Sequence, residues 1–165
     1  MQEEAAFQIS HVVASTELAT ITARLLDQLP AWFGRPEANA QYVESARTLP
    51  GVLARSSDSE PIGILLHRRH FAEATEIHLM AVAPDWHRRG IGAALVSAVE
   101  AKLQTDGCRM LHVKTLGPSH PDSGYALTRV FYRAIGFVPI EETNDLWPGT
   151  PCLMMVKMLP GPHGR

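Results

Sequence analysis

The segment His87-Arg88-Arg89-Gly90-Ile91-Gly92-Ala93 combines residue types that together suit an anion site. Two glycines let the backbone approach a ligand closely and turn its N–H groups inward. A helical pattern begins at Gly90, so unpaired N–H groups and the positive end of the helix dipole face the same place. Arg88 and Arg89 add charge, and the sum fits a pyrophosphate. A turn with ordinary glycines and solvated arginines is the competing reading of these residues. Other phosphate loops fit worse. There is no Gly-x-x-x-x-Gly-Lys-Ser/Thr, and the Gly-x-Gly lacks the third glycine and downstream acid of a dinucleotide site. Just upstream, Glu76, His78 and Met80 alternate with Ile77, Leu79 and Ala81, which gives a strand with an acid and a histidine on one face. That pairing is unusual for a central strand.

The elements that must position these residues follow from periodicity and breakers. Phe7 to Val13 predicts a strand, and Leu18, Ile21, Leu25 and Leu29 predict a helix capped by Ser15 or Thr16 and ended by Pro30. Arg35-Pro36-Glu37 starts a second helix reaching about Arg47. Val52 to Arg55 and Ile62 to His67 read as strands around a turn at Ser56 to Pro61, and Glu73 to Val82 is the longest strand candidate. Pro84 and Asp85 break it. The helix after Gly90 carries Ile91, Leu95, Ala98, Val99 and Leu103 on one apolar face and stops at Gly107. Met110 to Thr115 is a strand and Leu116 to Ser123 a loop. A last helix places Leu127, Val130, Phe131, Ala134 and Ile135 on an apolar face. Gly136 closes it, and strands at Phe137 to Glu141 and Cys152 to Met158 follow. The order is β-α-α-β-β-β-α-β-α-β-β.

Length and composition set the class. At 165 residues the chain fits one domain, taken as residues 1–159, with residues 160–165 expected to fray. Hydrophobic residues make up 45% and charged residues 19%, a globular rather than a disordered balance. The formal net charge of -2 offers no positive field for generic nucleic-acid binding. No apolar run approaches the ~20 residues of a membrane span, and the first residues show no secretory signal, so a cytoplasmic protein is expected. Cys108 and Cys152 are too few for a disulfide framework and read as packing residues. His67-x-x-His70 is a sparse pair that completes no tetrahedral set, so no metal site is expected.

Two motifs carry a family resemblance. Met80-Ala81-Val82-Ala83-Pro84 followed by His87-Arg88-Arg89-Gly90-Ile91-Gly92 resembles the strand and acetyl-CoA loop (Gln/Arg-x-x-Gly-x-Gly/Ala) of the GCN5-related N-acetyltransferase (GNAT) superfamily, with His at the position where Gln or Arg is usual. Tyr132-Arg133-Ala134-Ile135-Gly136-Phe137 resembles its Tyr-x-x-x-Gly-Phe signature, with Tyr125 and Thr128 where Asn and Ala are usual. The resemblance covers roughly Glu73 to Met158 and implies an α/β (α+β) fold: a twisted mixed sheet of about seven strands with about four flanking helices.

It also implies roles, beginning with the cofactor acetyl-CoA as co-substrate and no metal. Backbone around Met80, Ala81 and Val82 would pair with the pantetheine arm, and the N–H of Val82 would stabilise an oxyanion. The loop from His87 through Arg88, Arg89, Gly90, Ile91 and Gly92 to Ala93, with Tyr125 and Thr128, would complete the cofactor site. Glu76 matches the basic glutamate of GNAT histone acetyltransferases, against a reading as a rim carboxylate paired with Arg68 or Arg69. His78 is the alternative base, against a packed histidine. Tyr132 would donate to the departing thiolate, against simple packing on the sheet edge. Full proton transfer from a phenol near pKa ~10 to a thiolate near ~8.5 is uphill by ~2 kcal/mol, so a hydrogen bond is the safer role. The acceptor is expected to be a small primary amine. Trp32, Phe33, Tyr42 and Trp147 are candidate walls, Arg129 a candidate partner for an acidic acceptor or for a carboxylate of its own fold, and His120 and Asp122 candidate edges of the cleft. A homodimer is compatible, through strands after Gly136. A non-catalytic acyl-CoA-binding module and an acyltransferase for longer donors are the rival readings.

Overall fold

A computed structural model describes residues 6–161. Its elements are β1 (Phe7–Val12), α1 (Thr16–Asp27), α2 (Pro36–Ser45), β2 (Gly51–Ser56), β3 (Pro61–Phe71), β4 (Ala74–Val82), a 3-10 turn (Pro84–Trp86), α3 (Ile91–Thr105), β5 (Met110–Leu116), α4 (Ser123–Ala134), β6 (Val138–Trp147) and β7 (Thr150–Met158). The expected order is the observed order. The strands form one mixed seven-stranded sheet in the order β1-β2-β3-β4-β5-β7-β6. β4 and β5 pair in parallel, from Ala74 with Met110 to Ile77 with Val113. A parallel pair needs a crossover, which the 3-10 turn and α3 supply. The tail expected to fray reaches beyond the described residues, which end at Gly161.

The chain folds as two compact units, residues through Arg68 with Leu79–Lys102, and Arg69–His78 with Leu103 onward. In the first, the Ser15 hydroxyl caps α1 by accepting from the Leu18 N–H at 3.0 Å. α1 buries Leu18, Ile21, Leu25 and Leu26 against Leu53, Ile64, Leu66, Leu79, Ala81 and Ala83. It ends at Asp27, before Pro30, because a proline disfavours helical backbone in the residue preceding it. On β3, Gly63 leaves room for α3, since a Cβ there would lie 3.0 Å from Ile91 and 3.3 Å from Leu95.

In the second unit β5 and β7 pair in antiparallel register, from Met110 with Met158 to Leu116 with Cys152, and bury Leu111, Val113, Leu153 and Met155. Three sequence expectations change. β3 has 11 residues and β4 has 9, so β4 is not the longest strand; the polar run His67-Arg68-Arg69-His70 continues β3. β6 extends to Trp147 as a mostly exposed edge strand, which hides the alternation that would have revealed its second half. The apolar positions of α4 are not its buried face: Leu127 and Val130 are 57% and 62% exposed, while Tyr132 is 4% exposed.

Candidate functional site

In the first unit, β4 ends at Val82 and the chain turns through Pro84–Trp86 into the loop before α3. Arg88 has φ 61° and Gly90 has φ 79°, the left-handed region that ordinary side chains avoid. Such strain at a non-glycine residue is characteristic of ligand loops. The Gly90 carbonyl accepts from the Ala94 N–H, so Gly90 is the residue that caps α3. A glycine has no side chain with which to cap, so the peptide N–H groups that follow it, at Ile91, Gly92 and Ala93, are suited to an anion from outside. The stretch from His87 to Gly90 is exposed. This geometry fits a pyrophosphate.

His87, the departure from the family motif, has a structural task. Its Nε2 lies 2.7 Å from the Val82 carbonyl, and its ring meets Trp32 edge-on at 5.5 Å. A carbonyl only accepts, so Nε2 carries the hydrogen and donates it. His87 thereby ties the loop to the end of β4. Arg89 lies over the Trp86 ring at 5.0 Å, which leaves one face of its guanidinium committed to that ring. Trp32, Phe33 and Tyr42, considered as acceptor walls, pack half-buried against the core of the first unit.

In the second unit, Glu76 is buried, but its partners are neither Arg68 nor Arg69. His70 Nε2 donates to Glu76 Oε2 at 2.6 Å, and Lys114 Nζ donates to Oε1 at 3.3 Å. Arg69 instead holds the backbone carbonyls of Phe71, Ala72 and Asp106, with the Asp106 carboxylate at 3.9 Å. His112 is the register partner of Glu76 on β5, and its ring lies 5.6 Å from that of His70. Burial pushes the Glu76 carboxyl upward, but the His70 hydrogen bond, the Lys114 charge and hydrogen bond, and His112 outweigh it and hold the pKa below the usual value. Burial lowers His112, with Lys114 and His70 reinforcing and Glu76 opposing. Burial raises the Cys152 thiol, against Lys114 and with Glu76, which keeps it protonated at neutral pH and unsuited to nucleophilic attack. His78 is half-buried, two positions along β4 from Glu76.

Tyr132 is the buried residue of α4, with Phe131 at 5.2 Å and Phe137 at 5.3 Å, both edge-on. Asp122 caps α4 by accepting from the Tyr125 N–H at 3.0 Å. The Thr128 hydroxyl donates to the Gly124 carbonyl. Arg129 donates to the Leu116 carbonyl at 2.7 Å and so ties α4 to the end of β5; among the described residues no carboxylate pairs with it. The backbone N–H of His120, an exposed residue, donates to the Gly117 carbonyl, and Trp147 ends β6 opposite Thr150. The structure thus gathers Val82, His87 and Trp32 in one unit, and Glu76, His70, His112 and Lys114 in the other. The last three of these were missed as a group, although His112 and Lys114 sit two residues apart on one strand face.

Residues 51–139, more than half of the chain, match the family profile described as an acetyltransferase (GNAT) domain. The chain belongs to the GNAT family. This family draws its acyl group from acetyl-CoA, and the protein is an acetyltransferase of that type. Solved structures share the fold. A ribosomal-protein alanine N-acetyltransferase from Escherichia coli is 14% identical, with TM-score 0.74 over 93% of this chain and 94% of that one. A GNAT family acetyltransferase from Elizabethkingia anophelis with acetyl-CoA bound is 22% identical, with TM-score 0.69 over 93% and 98%. An IAA acetyltransferase from Bacillus cereus is 18% identical, with TM-score 0.69 over 93% and 100%. No curated protein matches the sequence. Among the described residues, no helix is long and apolar enough to cross a membrane.

Proposed function

We propose that this GNAT protein moves acetyl from acetyl-CoA to a small primary amine by direct attack. The observation that carries the reading is the loop before α3, where the left-handed Arg88 and Gly90 precede a helix N-terminus capped by a glycine. Arg88 to Ala93 hold the pyrophosphate, with Arg88 and Arg89 adding charge. Backbone of Met80 to Val82 aligns the pantetheine arm, and the Val82 N–H faces the developing negative charge. Bound acetyl-CoA supplies the activated acyl carbon; the chain's own residues manage position and protons.

The magnitudes restrict Glu76. Its carboxyl is held below the usual carboxylate range and a lysine-like ammonium has a pKa of ~10.4, so removing a proton from the ammonium is steeply uphill. Glu76 therefore does not create the neutral amine. It accepts the proton as the C–N bond forms and nitrogen loses its basicity, directly or through water. Tyr132 donates a hydrogen bond to the departing sulfur, from a ring fixed between Phe131 and Phe137. Structural neighbours at similar TM-scores carry names as different as a ribosomal-protein alanine N-acetyltransferase and an IAA acetyltransferase, so the acceptor is decided by an amine panel.

The test is an amine panel read by thiol release, then Glu76→Gln and Tyr132→Phe with the best amine. Each variant is expected to lower kcat at least tenfold and leave acetyl-CoA affinity within a few-fold. Full rates in both variants would remove these residues from the mechanism. Binding of acetyl-CoA with no amine turned over would favour the acyl-CoA-binding reading.

A further inference from the structure

Three side chains of the second unit converge from three different strands: His70 on β3, Glu76 on β4 and His112 on β5. One donor atom of each lies within 4.8 Å of the other two. We propose that His70, Glu76 and His112 form a binding site for a divalent transition-metal ion of the zinc type.

The donor set selects the class of ion. Two imidazoles and one carboxylate suit zinc, cobalt(II) or nickel(II), whereas magnesium and calcium demand oxygen ligands throughout. Donors around a tetrahedral zinc sit about 3.4 Å apart, given metal bonds of about 2.0–2.2 Å. On binding, the hydrogen that His70 donates leaves Nε2, the 2.6 Å contact with Glu76 opens slightly, and the His112 nitrogen closes in. The frame is already set, because Glu76 and His112 are register partners in the sheet and the two imidazole rings lie 30° from parallel. The His70 side chain is 37% exposed, which gives an ion a way in.

Lys114 shapes the site rather than closing it. It donates to Oε1, whereas the hydrogen bond that an ion replaces is on Oε2. Its hydrogen bond to the free carboxylate oxygen orients the ligand, but the ammonium charge opposes a cation. Binding is therefore micromolar rather than the far tighter binding of structural zinc. Three protein donors leave a fourth position open to water. An ion on Oε2 also occupies the oxygen a proton would need, so the loaded protein would not transfer acetyl; that consequence, unlike the binding, rests on the function proposed above.

The experiment titrates cobalt(II) into chelator-treated full-length protein and follows its visible ligand-field absorption, with zinc added afterwards as competitor. One saturable equivalent, displaced by zinc, is expected. His70→Gln and His112→Gln should each weaken binding at least tenfold with the far-ultraviolet spectrum unchanged. Lys114→Gln should tighten it about tenfold, a gain that a misfolded variant cannot produce. No saturable absorption, or absorption that persists in the His70→Gln/His112→Gln double variant, would overturn the proposal. Because the readout is binding, its failure is distinct from a failure of the acetyl-transfer reading.

Discussion

Glu76 shows what a single residue's surroundings decide. A strand carboxylate six residues before Val82 was legible as a candidate base, but its state was not. His70 and Lys114 hold it ionised, and that argues for late proton acceptance. Neither partner could be named beforehand, because both depend on how β3 and β5 flank β4 in the sheet. The lowered pKa also has a consequence for stability. A carboxyl whose folded pKa is depressed adds stability that is fully present above its unfolded value, near 4.5, and is lost as pH falls through the folded value. The stability difference between wild type and Glu76→Gln should thus shrink as pH falls below the usual carboxylate range, at lower pH than the separate change that its coupling to His112 produces. Urea denaturation across that range reads it, and a difference that did not change with pH would contradict the assignment of the ionised state.

At the scale of elements, the loop before α3 was the most legible part of the chain. Its breakers and glycines mark a turn into a helix locally, and the structure adds the left-handed Arg88 and the His87 tether to Val82. Gly92 lies in the first turn of α3, where a large side chain would cover the N–H groups that the proposed function assigns to the pyrophosphate. Gly92→Trp should weaken acetyl-CoA binding at least a hundredfold with little change in melting temperature, measured by calorimetry on folded protein. Unchanged affinity would remove the loop from the site. α4 was less legible. Periodicity named Leu127 and Val130 as its inner face, yet Tyr132 is the residue it buries. An aromatic ring with a polar tip fills the interior and scores as half-polar in a pattern, while apolar side chains can stay outside at modest cost.

For the whole molecule, local pattern carried the order of elements and global register carried the chemistry. Breakers such as Pro84 and Gly107 delimit elements from within a few residues, so strand and helix order could be read directly. Which strands lie side by side is set by burial across the sheet, and that arrangement creates the cluster of His70, Glu76, His112 and Lys114. Membership of the GNAT family rests on the profile match across residues 51–139, and the use of acetyl-CoA by this particular chain is the central claim built upon it. Calorimetric titration of the purified protein with acetyl-CoA, with NAD and ATP as controls, tests that claim most directly. Saturable micromolar binding to acetyl-CoA alone is the predicted result. No binding to acetyl-CoA by demonstrably folded protein, or equal binding to all three, would contradict it.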